Sequence, residues 1–109
     1  MLSDAITTEI VVNAAQSRFE LWLNGDLVGI MGFYESELTK GGRAGRPLIV
    51  SFMHTVITED FGHRGLAGVL VRGALDHARV YGWKVRPVCT YVQRFVADNP
   101  EYREVAVPL

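Results

Sequence analysis

At 109 residues, with 49% hydrophobic and 21% charged side chains, the chain has the size and composition of one globular domain and excludes disordered or fibrous classes. Eleven Lys/Arg against twelve Asp/Glu leave a net charge of −1 and no basic run, so nucleic acid is not an expected partner. One cysteine, Cys89, rules out an internal disulfide and suits a reducing compartment. The start of the chain shows no signal pattern, and no segment approaches the ~20 apolar residues of a membrane span. The expectation is a single domain over residues 1–109, cytoplasmic, away from membranes, and monomeric or a small homo-oligomer.

The first predicted elements lie in RFELWLNGDLVGIMGFY, residues 18–34. Two alternating runs flank Asn24, Gly25 and Asp26, a turn combination that tolerates positive φ and favours a hairpin. Phe19, Leu21 and Leu23 share one face of the first run. The basic residues Lys40, Arg43 and Arg46 are interspersed with glycines and read as a solvated loop. RPLIVSFMHTVI then supplies a β-branched, apolar run that predicts a central strand ending at Thr58, Glu59 and Asp60.

A helix is predicted from about Gly65, with Leu66, Val69, Leu70, Gly73, Ala74, His77, Ala78 and Tyr81 at helical spacing and Gly82 as its left-handed stop. WKVRPVC predicts another strand. TYVQRFVADNP predicts a short helix that buries Tyr91, Val92, Phe95 and Val96. The order is β-β-β-α-β-α, an α+β domain, and the strand–helix–strand unit at 48–88 predicts two parallel neighbours.

Between the central strand and the long helix stands HTVITEDFGHRGLAG. Glycines there either let the chain turn tightly or open the helix N-terminus, whose free amides and dipole favour an anion such as phosphate. No Walker lysine motif follows, and the hairpin strands do not fit a Rossmann unit. His54, His63 and His77 lack metal-ligand spacing, so no metal is expected.

The segment ITEDFGHRGLAGVLVRGAL, with the strand and helix after it, resembles the acetyl-CoA-binding core of the GCN5-related N-acetyltransferases (GNAT). HTVI, RGLAGVLVRGALDHAR, KVRPVCTYVQRFVADNPEY and RFELWLNGDLVGIMGFY are similar to the minimal single-domain branch of that superfamily. That branch carries a His-Thr strand and a single cysteine before a Tyr-Val helix, and the likeness runs over about residues 10–103. It implies a GNAT-like fold with two splayed parallel strands, acetyl-CoA as co-substrate and an amine acceptor. The implied function is N-acetyl transfer, with a weakly catalytic or non-catalytic acyl-CoA-binding module as the alternative.

In the implied site, Val56, Ile57 and Thr58 flank the pantetheine on one side and Cys89 to Tyr91 on the other, while His63, Arg64, Gly65, Leu66, Ala67 and Gly68 meet the pyrophosphate. Gly62 departs from the Gln or Arg of the superfamily loop. The branch also lacks the helix pair that shapes the acceptor site in larger members, a shortage read here at the Asn24-Gly25-Asp26 turn. Cys89 is a transient acyl carrier or a lining of the acyl pocket. His54 is a general base or a satisfied strand histidine. Tyr91 is a proton donor to the departing thiolate or a core aromatic.

Overall fold

A computed structural model describes residues 7–36, 47–58 and 65–108. One five-stranded sheet runs in chain order: β1 (Thr8–Asn13), β2 (Arg18–Leu23), β3 (Asp26–Glu35), β4 (Ile49–Ile57) and β5 (Lys84–Pro87). The helices are α1 (Leu66–Val80) and α2 (Thr90–Asp98). β1 to β4 form an antiparallel meander, and α1 carries the chain over to β5, which lies parallel to β4. This is the α+β arrangement that the sequence predicts, with one strand more.

That strand is β1, which the pattern reading did not include. Its β-branched stretch pairs with β2 along its whole length, from Thr8 opposite Leu23 to Asn13 opposite Arg18. The link between the first two strands is therefore a single 3-10 turn, Ala14–Gln16, closed by Ser17 at φ 51°. The helix shortage belongs at this link and not at the Asn24-Gly25 turn. The hairpin itself is as expected. Asn24 and Gly25 both take positive φ (49° and 88°), a geometry whose twist matches the strands it joins.

α1 packs through Leu66, Leu70, Val71, Ala74, Leu75 and Ala78. This corrects the predicted stripe, since Val69 and Tyr81 are exposed and Val71 and Leu75 are fully buried. The reason is the extra strand. A Cβ on Gly73 would lie 2.6 Å from Ile10 Cγ1, so β1 presses on the Gly73 flank of a helix that covers a wider sheet. In α2, Val92 and Val96 are buried as predicted, whereas Tyr91 is 39% exposed and leaves the core.

Phe19 centres the core, with its ring 5.2 Å from Phe33 and 5.4 Å from Phe52, tilted or edge-on. After α2 the chain turns through Pro100–Tyr102 and locks onto α1. Tyr102 donates to Asp76 Oδ1 at 2.6 Å, Arg72 donates to the Tyr102 hydroxyl at 3.2 Å, and the Arg79 guanidinium lies 4.6 Å above its ring. Val85 then exchanges backbone hydrogen bonds of 2.8 Å with Val105 and Val107, which covers the outer edge of β5.

Both helices lie on the face that holds Phe19, Leu21, Met31 and Phe52; among the described residues no element covers the other face. The one acidic side chain buried there, Glu20, accepts from Asn13 (3.0 Å), Arg18 (2.9 Å) and Trp22 (3.1 Å). The Asn13 and Arg18 hydrogen bonds lead in holding its pKa below the usual carboxylate value, against the opposing effect of burial.

Gly73→Ala should lower the melting temperature, because overpacking against Ile10 of about 1–3 kcal/mol exceeds the ~1 kcal/mol that alanine adds to a helix. Gly68→Ala, whose Cβ would meet nothing closer than the Tyr91 hydroxyl at 3.4 Å, should raise it. His77 is ringed by Phe19, Tyr81 and Trp83, and burial lowers its pKa. The unfolded chain therefore takes up this proton first as pH falls. Stability should decline with acidification through and below roughly pH 6.5, the ordinary histidine value, and His77→Phe should flatten that limb in pH-resolved denaturant melts.

Candidate active site

The β4–β5 ladder is short. It runs from Ile49 opposite Lys84 to Phe52 opposite Pro87, and its last link is the Cys89 amide donating to Phe52 O at 2.9 Å. β4 continues to Ile57 while β5 has ended, so from Met53 onward its edge on that side has no strand beside it among the described residues. Proline causes part of this. Pro87 offers no N–H, and Val88 donates to Arg86 O at 2.9 Å in a tight turn instead of to β4.

β4 is bulged at the same point. Met31 lies opposite Thr55 and Phe33 opposite Phe52, so β4 carries one extra residue between these pairs, at Met53 and His54. An extra residue reverses the alternation beyond it. Thr55 and Ile57 join Phe52 on the helix face, and His54 and Val56 are exposed on the open face. Thr58 N–H donates to Val28 O at 2.8 Å, which turns the backbone groups of Thr58 and Val56 toward β3. By the alternation of an antiparallel ladder, those of Thr55 and Ile57 turn toward the unpaired edge.

Across the wedge, Cys89 is the N-cap residue of α2. Its Sγ lies 3.5 Å from Thr55 Oγ1. Burial raises the thiol pKa. The Thr55 hydroxyl and the amides of Val92, Tyr91 and Thr55 favour the thiolate and together prevail, so the net direction is down from the ordinary value. Thr55 is the residue that sequence reasoning missed as a site member. Its only trace in the sequence was its place beside His54 in the His-Thr pair.

The wedge opens toward the N-terminus of α1. Gly65 caps the helix in the left-handed region at φ 71°, with no side-chain cap and no acidic residue in the first turn. A Cβ there would meet nothing within 4 Å among the described residues, so the approach to the Leu66, Ala67 and Gly68 amides is open on that side. The Tyr91 hydroxyl sits beside Gly68. A shallow groove of about 480 Å³ continues from Gly65 and Gly68 along the flank of α1 to Arg72 and Asp76. His63 and Arg64 lie outside the described residues, as does Gly62.

The structure therefore brings Cys89, Thr55 and Ile57 to one wedge, with Tyr91 between Cys89 and the α1 N-terminus. His54 and Val56 stand on the other side of the same strand. Among the described residues no group of three His, Cys, Asp or Glu side chains could hold a metal ion, and no helix is long and apolar enough to cross a membrane.

Comparison with known proteins agrees with this architecture. Residues 18–105 match the family model described as GCN5-related N-acetyl-transferase, and the chain belongs to that family. It is also similar to Protein NATD1 of Bos taurus and of Homo sapiens, each 35% identical over 52 residues, which is 48% of this chain and 46% of either relative. Protein NATD1 of Mus musculus matches at the same identity over 47% of its length. The chain spans about half the length of these curated relatives.

Alkylation of Cys89 by iodoacetamide, followed against pH, should show a midpoint below that of a free thiol, about 8.5. Thr55→Val should move the midpoint up, and Thr55→Ser should restore it. An unshifted midpoint in Thr55→Val would remove the hydroxyl from the account.

Proposed function

We propose that the protein is an acetyl-CoA-dependent N-acetyltransferase that acts on an amine acceptor. The observation that carries this reading is the edge of β4, unpaired among the described residues, where the outward N–H and C=O groups of Thr55 and Ile57 face Cys89 across a wedge toward the α1 N-terminus, which has no side-chain cap. Pantetheine amides are complementary to such an edge, as an added strand would be. The α1 amides from Gly65 to Gly68, with His63 and Arg64 before them, suit the pyrophosphate. Of the expected strand-side residues, Ile57 lines the wedge together with Thr55, whereas Val56 and Thr58 turn their backbone groups to β3.

In this reading Cys89 is the acyl carrier. Its thiolate attacks the acetyl carbonyl, the bond from that carbon to the CoA sulfur breaks, and Tyr91 gives the departing thiolate its proton. The acceptor amine then attacks the acetyl-cysteine, the C–S bond to Cys89 breaks, and His54 takes the amine proton from the open face. Thr55 keeps Cys89 ready by donating to its thiolate. The weaker alternative, a CoA-binding module with little turnover, draws support from Gly62 in the loop and from the short Ala14–Gln16 link that leaves one face of the sheet uncovered.

Isothermal titration should detect acetyl-CoA binding, and an amine panel should be acetylated by the wild type, with Cys89→Ala and His54→Ala each lowering turnover at least ~100-fold. Binding without turnover of any amine would support the module. Absence of binding at millimolar acetyl-CoA would overturn both readings.

A further inference from the structure

The open face of the sheet holds a cation that the fold does not use. Arg86 stands opposite Ser51, one position before the last β4–β5 pair. Its neighbours Val50 and Val85 are the fully buried pair on the helix face, so strand alternation sends Arg86 to the open face at the foot of the wedge. The Arg86 Nε is closed off from water and has no hydrogen-bond partner, and the guanidinium makes no ion pair with a described residue. Three other arginines are engaged. Arg18 meets Glu20 at 2.9 Å, Arg72 bonds Tyr102 and Asn99, and Arg79 bonds Glu101 O.

A guanidinium cannot shed its proton at any pH the protein meets, and a shielded donor without an acceptor is destabilising. The fold tolerates this at the point where the proposed chemistry needs a face for its second substrate. The planar fork of arginine is matched best by a carboxylate, which here would accept two parallel hydrogen bonds from the terminal guanidinium nitrogens, since Nε is closed off. Arg86 lies three positions before Cys89, a span of at most about 10 Å of extended chain. His54 shares its face.

We propose that Arg86 selects the acceptor: a small amine that carries a carboxylate at its other end binds on the open face, with the carboxylate on Arg86 and the amine directed to the wedge. This rests on the acetyl-transfer reading and names its substrate class. Charge complementarity supports it, since the other open-face cation of β2, Arg18, is already neutralised by Glu20.

The test compares ε-aminocaproate with hexylamine, which differs in lacking the carboxylate, and with O-phosphoethanolamine as a phosphate source. In the full chain, with and without CoA, the Arg86 Nε–Hε and Ser51 amide resonances should shift saturably with ε-aminocaproate and at least about tenfold more weakly with hexylamine. Arg86→Gln should abolish that preference and raise KM for ε-aminocaproate about tenfold while leaving KM for hexylamine unchanged. Equal response to both amines, or a stronger response to the phosphate, overturns the proposal. If Arg86→Gln does not fold, the wild-type preference and Arg86→Lys decide it. CoA-induced shifts at Thr55 and Ile57 are read separately, so loss of CoA binding would sink the acetyl-transfer reading and leave the carboxylate preference to be judged by itself.

Discussion

The parting of β4 from β5 is the constraint on which the rest of the molecule depends. Four register pairs join these strands, and the ladder stops at Pro87, which has no N–H to give, because the Val88 N–H turns back to Arg86 O instead of to β4. The chain then folds back so that Cys89, two residues on, makes the final link to Phe52 O. That link fixes the start of α2. A strand edge left unpaired inside a small sheet is a liability unless something covers it, and here the adjacent helix N-terminus and thiol give that edge a chemical context.

The bulge in β4 assigns the side chains. Without the extra residue at Met53 and His54, strict alternation would have carried His54 to the face of Phe52 and Thr55 away from it. With it, Thr55 reaches Cys89 Sγ at 3.5 Å and His54 looks out over the open face. Two opposing influences then act on the thiol. Burial disfavours the anion, and four hydrogen-bond contributions from Thr55 and the first turn of α2 favour it; the second set prevails. The thiol and its hydroxyl partner thus lie on the helix side of β4, and the imidazole of His54 lies on the open side.

The open face is polar in an ordered way. Glu20 draws Asn13, Arg18 and Trp22 around one carboxylate, which leaves that region electrically settled. Arg86 at the foot of the wedge has no such counterpart among the described residues. The contrast is confined to this face, because α1 and α2 pack on the other side of the sheet.

Much of the fold was legible because it is written locally. The Asn24-Gly25 turn, the long apolar helix stopped at Gly82 and the parallel crossover all follow from short-range pattern, and the structure repeats each of them, whereas the strand read as central and well buried is buried only at Val50, Ser51 and Phe52 and is exposed at His54 and Val56. The family resemblance likewise rests on contiguous segments, and the family itself was identifiable from them. What only tertiary structure decided is where one element meets another. β1 was hidden because a half-buried edge strand shows weak alternation, and the pressure of Ile10 on Gly73 then altered which arc of α1 is buried. Tyr91 looked like a core residue because helical spacing records periodicity and not the space beside Gly68 into which its hydroxyl extends. Above all, a single extra residue in β4 leaves no mark on composition or period, yet it reverses every side chain beyond it, and so the pairing of Thr55 with Cys89 belonged to the sheet and not to the sequence alone.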